Sequence, residues 1–380
     1  MLILGIETSC DDTSVAIVSA NEKNIEVLAN IISSQIATHA AYGGIVPLLA
    51  AREHERNLPV VLEQALHDSR YTIHDMDVIA VTSGPGLIMS LVRGVTFANE
   101  LADEYHKPLI GMNHIEGHIY SNWLPDPKAN TYTLTPIPFP ALCLIVSGGH
   151  TELVLMHDHG KYELVGRTLD DASGEAFDKI ARLLGLPYPG GPEIARAADS
   201  FNVATFKRLT VKLPRPMMHS KDFNFSFSGL KTAVCYLVRD LTKIAPLSNS
   251  QRTEIAHEAQ EAIVDVLVSK TLKAAEKFQP KSILIAGGVS ANKRLRSRLA
   301  EEVSRLTPKT YYLEPAPQYT TDNAAMIACA AYYNHVSRNM KHASWEGVEA
   351  DANWEIAWYI LYDRKIGTIC SPIYFPCLIR

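Results

Sequence analysis

The chain opens on alternating apolar and polar blocks. LILGIETSCDDTSVAIVSA is a β-branched apolar run, a polar turn over Ser9 to Asp12 and a second apolar run, which predicts a hairpin. ALCLIVSGGHTELVLMH, from Ala141 to His157, repeats that plan with Gly148 and Gly149 in the turn. After the first hairpin come the buried-strand pattern DVIAVTSGPG, the helical run LIMSLVRGVTFANELADEY, the strand PLIGMN and a helix opening at His114. After the second come SILIAGGVSAN, the helix KRLRSRLAEEVSRL, the strand TYYLEPA and a helix opening near Asp322 with NAAMIACAAYY.

Two copies of one plan, with strands and helices alternating, predict an α/β fold with largely parallel sheet covered on both faces. The expected architecture is actin-like (ASKHA): duplicated ribonuclease-H-like domains around a central cleft. The divisions expected are residues 1–135, residues 136–345 carrying a helical insertion at about 170–280, and an unassigned tail over 346–380. The insertion holds helical patterns such as ASGEAFDKIARLLGL and is too long for a plain loop. In open α/β sheets ligands sit beyond the carboxyl ends of the strands, where the glycine loops, His114, His118 and Asp322 all fall.

NHIEGH, Asn113 to His118, puts two histidines at i and i+4, on one helix face. A zinc protease needs H-E-x-x-H, whereas Glu116 stands at i+2 and faces away from any ion the histidines share. With Asp322 at the matching place in the second repeat, His114 and His118 form a candidate metal site. Two imidazoles and a carboxylate leave coordination positions open and suit iron or zinc. Taken alone, H-x-x-x-H is more often a pair of packed or capping histidines; the repeat tips the balance.

Four glycine loops, SGPG, VSGGH, YPGGP and AGGVSAN, let backbone N–H groups approach a phosphate. None matches the P-loop or the dinucleotide fingerprint. ETSCDDTS groups hydroxyls and carboxylates suited to phosphate or cation, although an ordinary polar turn has the same make-up. Asp178, in GEAFDK, by itself reads as an exposed helix acid.

A net charge of −5 gives no global attraction for nucleic acid, so an RNA substrate would need a local patch. KRLRSR, with Arg294 and Arg298 on one helix face, and the stretch from Lys207 to Lys221 are the candidates; solvated helix faces explain such runs more often. The six cysteines form no C-x-x-C pair, which argues against a disulfide framework and for a reducing compartment. No apolar run approaches the length that crosses a bilayer, and because a strand pattern begins at once no leader is expected.

In order, GIETSCDDTSVAIV, YGGIVPLLAAREH, SGPGL, NHIEGH, VSGGHTELV, DDASGEAFDK, YPGGP, FNFSFSGLKTAV, AGGVSAN and TDNAAMIA resemble the motifs of the TsaD-like tRNA N6-threonylcarbamoyladenosine transferases, formerly labelled O-sialoglycoprotein endopeptidases. The resemblance implies transfer of a threonylcarbamoyl group from threonylcarbamoyl-AMP to N6 of adenosine 37 in tRNAs reading codons that begin with A. It implies one divalent metal ion on His114, His118 and Asp322. It implies an adenylate held by Ile145, Val146, Ser147, Gly148, Gly149, Asp178, Gly191 and Asn292, with Ser9 and Asp11 near its phosphate. A separate threonylcarbamoyl-AMP synthase would supply the substrate. VSGGHTEL is similar to the bacterial and mitochondrial branch, and ETSCDDT leans to its mitochondrial members, which implies a homodimer in the mitochondrial matrix; bacterial cytoplasm with partner subunits is the alternative. Zinc endopeptidase and actin-like sugar kinase or ATPase are the competing readings. Leu48, Ala324 and the tail after Trp345 depart from the family pattern.

Overall fold

The computed structural model describes residues 1–126, 137–201, 211–306, 309–337 and 347–356. The first repeat runs β1 (Leu2–Glu7), β2 (Asp12–Asn21), β3 (Asn24–Ser34), α1 (Ile36–Ala40), α2 (Pro47–Ser69), β4 (Val78–Gly84), α3 (Ile88–Tyr105), β5 (Leu109–Asn113) and α4 (His114–Tyr120). The second runs β6 (Ala141–Val146), β7 (Thr151–Asp158), β8 (Lys161–Arg167), α5 (Ser173–Leu183), α6 (Gly190–Asp199), α7 (Ser228–Thr242), α8 (Asn249–Phe278), β9 (Ser282–Ala286), α9 (Lys293–Leu306), β10 (Tyr311–Leu313) and α10 (Ala324–Ser337).

The two sheets have one topology. Their orders are β3-β2-β1-β4-β5 and β8-β7-β6-β9-β10, antiparallel over the first three strands in chain order and parallel thereafter. This is the duplicated α/β plan the sequence predicts, with two corrections. Each expected hairpin is a three-stranded meander, because β3 and β8 continue it. Both are edge strands with much of one side open to solvent, so their apolar pattern is too diluted to stand out. The strand expected over TYYLEPA shrinks to the three residues of β10.

Period-two alternation sends successive residues of β1 to two different cores. Leu4 and Ile6 face outward onto α2 and α3, meeting Leu58, Val61, Val95 and Ala98. Ile3 faces inward. In the second sheet Leu142, Leu144 and Val146 pack outward on the inserted helices, against Phe177, Ile180, Val234 and Ile263. The insertion therefore takes the place that α2 holds in the first repeat.

The inner layer is exchanged between repeats. Helix α4 of the first repeat touches β6 and β9 of the second sheet, while α10 of the second repeat packs on β1 and β2. Helix α10 is apolar all round, and Ala324 to Ala331 are fully buried, as a helix between two sheets must be. Its amino end is received by β2 and β3, where Ser14 Oγ accepts from Ala324 N (3.0 Å) and Asn30 Oδ1 from Ala325 N (3.3 Å). Gly5 makes that approach possible, since a Cβ there would collide with the Ala324 carbonyl. The expected division at 135/136 lies outside the described residues, as do residues 357–380 of the tail. Among the described residues no helix is long and apolar enough to cross a membrane.

Candidate active site

Helices α4 and α10 begin at the carboxyl ends of the sheets and are capped alike. Asn113 Oδ1 accepts from Ile115 N (2.9 Å) and Glu116 N (3.3 Å), and Asn323 Oδ1 accepts from Met326 N (3.0 Å). Asp322 sits just before its helix rather than at its opening. Gly117 lets the two helices touch, because a Cβ there would meet Ile327 Cδ1 at 2.6 Å.

This packing brings His114, His118 and Asp322 together from positions two hundred residues apart, with their ligand atoms all within 4.8 Å of one another. Asp322 Oδ1 lies 3.3 Å from His118 Nε2 and 3.6 Å from His114 Nε2. Ligands at about 2.1 Å from a tetrahedral ion stand roughly 3.4 Å apart, so the two distances from Asp322 suit a divalent metal. The chemistry of the donors agrees. His118 is fully buried, and neither ring nitrogen has a hydrogen-bond partner beyond the 3.3 Å approach of Asp322 Oδ1 to Nε2. A buried imidazole without a partner is costly, and an ion between the three residues would satisfy it.

Glu7 completes the arrangement. Its Oε2 lies 2.9 Å from His114 Nδ1 and accepts from Thr82 Oγ1 at 2.7 Å, while Ser9 Oγ lies 3.1 Å from the same imidazole nitrogen. Nδ1–H directed at Glu7 leaves Nε2 turned toward Asp322, the carboxylate–histidine arrangement that orients metal ligands. Burial works against a charged His114, but Glu7 and Asp322 outweigh it and raise its pKa to about 9. Asp322, whose burial alone would raise it, is held at about 2 by His114 and His118. Glu7 lies in ETSC, where nothing local marks it out, because its partner is over a hundred residues away.

The surroundings are strongly acidic. Burial and then the neighbouring Asp322 push Asp11 up to about 6 and Asp12 to about 7. Asp178 adds to the rise of Asp11, and Tyr188 is raised by burial and then by Asp11 and Asp178, so these acids act on one another's neighbourhood. Asp178 is not an exposed acid. Its Oδ1 accepts from Gly190 N at 2.7 Å.

The glycine cradle is open. A Cβ built on Gly148, Gly149 or Gly191 would meet nothing within 4 Å, so free space borders the Gly148–Gly149 backbone, beside the start of α5 where Gly174 N donates to Ser147 O, and borders Gly191 at the start of α6. Ile145 and Val146 offer a ligand only their main chain, since both side chains are fully buried in the cores. Asn292 is already engaged, with Oδ1 accepting from Leu295 N (3.0 Å) and Nδ2 donating to Gln260 (2.9 Å).

Two sequence suspects lose their chemistry. Glu116 Oε1 is buried and accepts from Tyr162 Oη (2.7 Å) and Asn334 Nδ2 (2.8 Å), away from the histidines. In KRLRSR, Arg294 makes two 2.7 Å bonds to Glu261, Arg296 binds Glu314 and Arg298 reaches Asp265, so these cations tie α9 down. Of the second basic stretch, Lys207 and Arg208 lie outside the described residues, and Arg215 is paired with Glu258 and Asp265.

Comparison with known proteins identifies the family. Residues 26–329 match the family model "TsaD: tRNA N6-adenosine threonylcarbamoyltransferase". A tRNA N6-adenosine threonylcarbamoyltransferase of Thermosipho melanesiensis is 48% identical over 332 residues, covering 87% of this chain and 94% of that protein. One of Bacillus subtilis is 44% identical over 334 residues, covering 87% and 89%. The solved structure of T. kodakarensis HypF superposes with a TM-score of 0.53 at 13% identity, over 89% of this chain and 48% of that one, a likeness of fold alone. With the family model spanning most of its length and relatives so similar along nearly their whole length, the chain belongs to the TsaD family of tRNA N6-adenosine threonylcarbamoyltransferases.

Proposed function

We propose that the chain transfers the threonylcarbamoyl group of threonylcarbamoyl-AMP to N6 of adenosine 37 in tRNAs reading codons that begin with A. The observation that carries this is the His114, His118 and Asp322 cluster standing beside an open glycine cradle at the carboxyl ends of both sheets. The adenine amine bonds to the carbamoyl carbon, the carbamoyl–phosphate C–O bond breaks, AMP leaves with the electron pair and N6 loses a proton.

The residues have separable tasks. Main-chain N–H groups of Gly148 and Gly149 receive the phosphate, and Asp178 holds ribose hydroxyls. A divalent ion on His114, His118 and Asp322, iron or zinc by their donor types, supplies a Lewis acid for the charge developing on phosphate and carbamoyl oxygens. Glu7 and Ser9 keep the His114 ring aimed, and Asp11 faces the phosphate end. A peptidase is disfavoured because Glu116 is turned into the core; a kinase is disfavoured because two imidazoles are poor ligands for magnesium.

The relatives come from bacteria and lend nothing to a mitochondrial placement. We therefore take the bacterial alternative: cytoplasm, partner subunits, and a separate synthase supplying the adenylate. The test is to give purified metal-replete protein and its partner subunits threonylcarbamoyl-AMP and unmodified tRNA, then digest the tRNA and seek the modified nucleoside by mass spectrometry. Product from the wild type and none from Asp322→Ala supports the assignment; no product from the wild type overturns it.

A further inference from the structure

We propose that residues 347–356 form a positioning strap, and that its docking aims His114 into the metal site. This rests on the metal reading above. The segment runs along the mouth of the first repeat and is held mostly through its own backbone. At one end the Asn99 carboxamide, on the outer part of α3, pairs with both main-chain groups of Val348, donating to its carbonyl at 3.0 Å and accepting from its N–H at 3.1 Å. In the middle Asp351 N donates to Ser83 O (2.7 Å), and Gly86 N donates to Ala352 O (3.3 Å). At the far end Ile356 is buried in the inner core. Glu355 pairs with Arg167 of β8, in the other repeat, at 2.8 Å. That ion pair is half exposed and so weak; the main-chain bonds and the buried Ile356 hold the segment.

Two routes lead from the strap to one imidazole. The Trp354 carbonyl accepts from Asn113 Nδ2 at 3.0 Å. This fixes which way the carboxamide faces, leaving Asn113 Oδ1 to cap the helix that carries both histidines. The other route passes through the SGPG loop. Leu87 N donates to Ser9 O (2.8 Å), and Ser9 Oγ meets His114 Nδ1. The strap thus presses on His114 from its helix cap and from its ring nitrogen. Two small residues mark the path, since a Cβ on Gly84 would collide with the Asp351 carbonyl and one on Gly111 would meet Val348 Cγ1 at 2.8 Å.

The test uses the full-length chain. Asn99→Leu removes the anchor from outside the site, and Gly84→Ala wedges the strap away from β4. Zinc affinity of the metal-stripped protein is measured by competition with a coloured chelator, and amide exchange is followed over residues 114–120. Loss of a partner beyond the ligands typically weakens metal binding about 10–100-fold. We expect a loss in that range in Asn99→Leu, with faster exchange at the start of α4; Gly84→Ala should act in the same direction, and Asn99→Leu alone decides the matter if Gly84→Ala does not fold. Zinc affinity equal to wild type in Asn99→Leu overturns the strap, whereas a wild type that takes up no zinc overturns the metal reading beneath it.

Discussion

Glu7 Oε2 stands 2.9 Å from His114 Nδ1, so a strand at the very start of the chain holds the ring of a helix that begins more than a hundred residues later. A neutral glutamine can still accept from Nδ1–H but no longer raises the basicity of the imidazole. Glu7→Gln should therefore weaken zinc binding about 10–100-fold without abolishing it, and Glu7→Ala should weaken it further. Equal affinities in a chelator competition would remove Glu7 from the site.

His118 is buried with both ring nitrogens free of hydrogen bonds. Replacing such a group by an apolar one of similar size recovers its desolvation cost, about 1–3 kcal/mol. In chelator-treated protein His118→Leu should lie within about 1–3 kcal/mol of wild type in urea, the desolvation cost recovered being set against the lost 3.3 Å approach of Asp322, while metal no longer stabilises it. A variant less stable than the metal-free wild type by more than that would mean that the imidazole has a further structural partner.

Gly117 is the contact between α4 and α10. Gly117→Val should force the helices apart, costing about 1–3 kcal/mol, and should separate the histidines from Asp322 so that metal affinity falls as well. Calorimetry with a parallel zinc titration checks both, and undiminished zinc affinity would show that the helix spacing does not govern the site.

His159 stacks on Tyr333 at 4.2 Å between ring centroids and bonds Tyr120 Oη through Nδ1 at 3.0 Å. Burial lowers its pKa to about 4, below the roughly 6.5 of an unfolded histidine. The folded state thus prefers the neutral ring. Its contribution is complete above about pH 6.5 and is lost as pH falls toward 4, by about 1–2 kcal/mol after allowing for partial solvent access. His159→Phe should flatten the stability profile across that window, and an unchanged slope would assign the acid sensitivity to other groups.

Arg294 is bound twice by Glu261. Arg294→Ala should leave tRNA affinity and its salt dependence unchanged within about twofold, since a cation already paired releases few counterions. A shallower salt slope in a filter-binding series would return α9 to the RNA surface.

The repeat was legible because both copies keep a strand, a glycine break and a helix at matched places, a signal in apolar periodicity alone. The meeting of His114, His118 and Asp322 was legible for the same reason, the carboxylate being found by symmetry. Glu7, Thr82 and the strap were not. Each acts by a contact that depends on the order of strands in the sheet, and nothing local in ETSC or VEADANWEI announces it. The edge strands β3 and β8 were hidden by their solvent-facing sides. The engagement of Asn292 was hidden too, for a cap and a ligand-binding amide look identical in sequence.

The exchange of α4 and α10 bears on how the protein comes into being. On a ribosome the first sheet is made early, but the helix that roofs its inner face is among the last of the described elements to emerge. Ile3, Ala16 and Val18 then wait on the nascent chain with only half their packing, a period in which a chaperone has something to hold. The first repeat cut out alone should be sticky rather than simply smaller, and ligand site and core should mature together, late, in a single closing step.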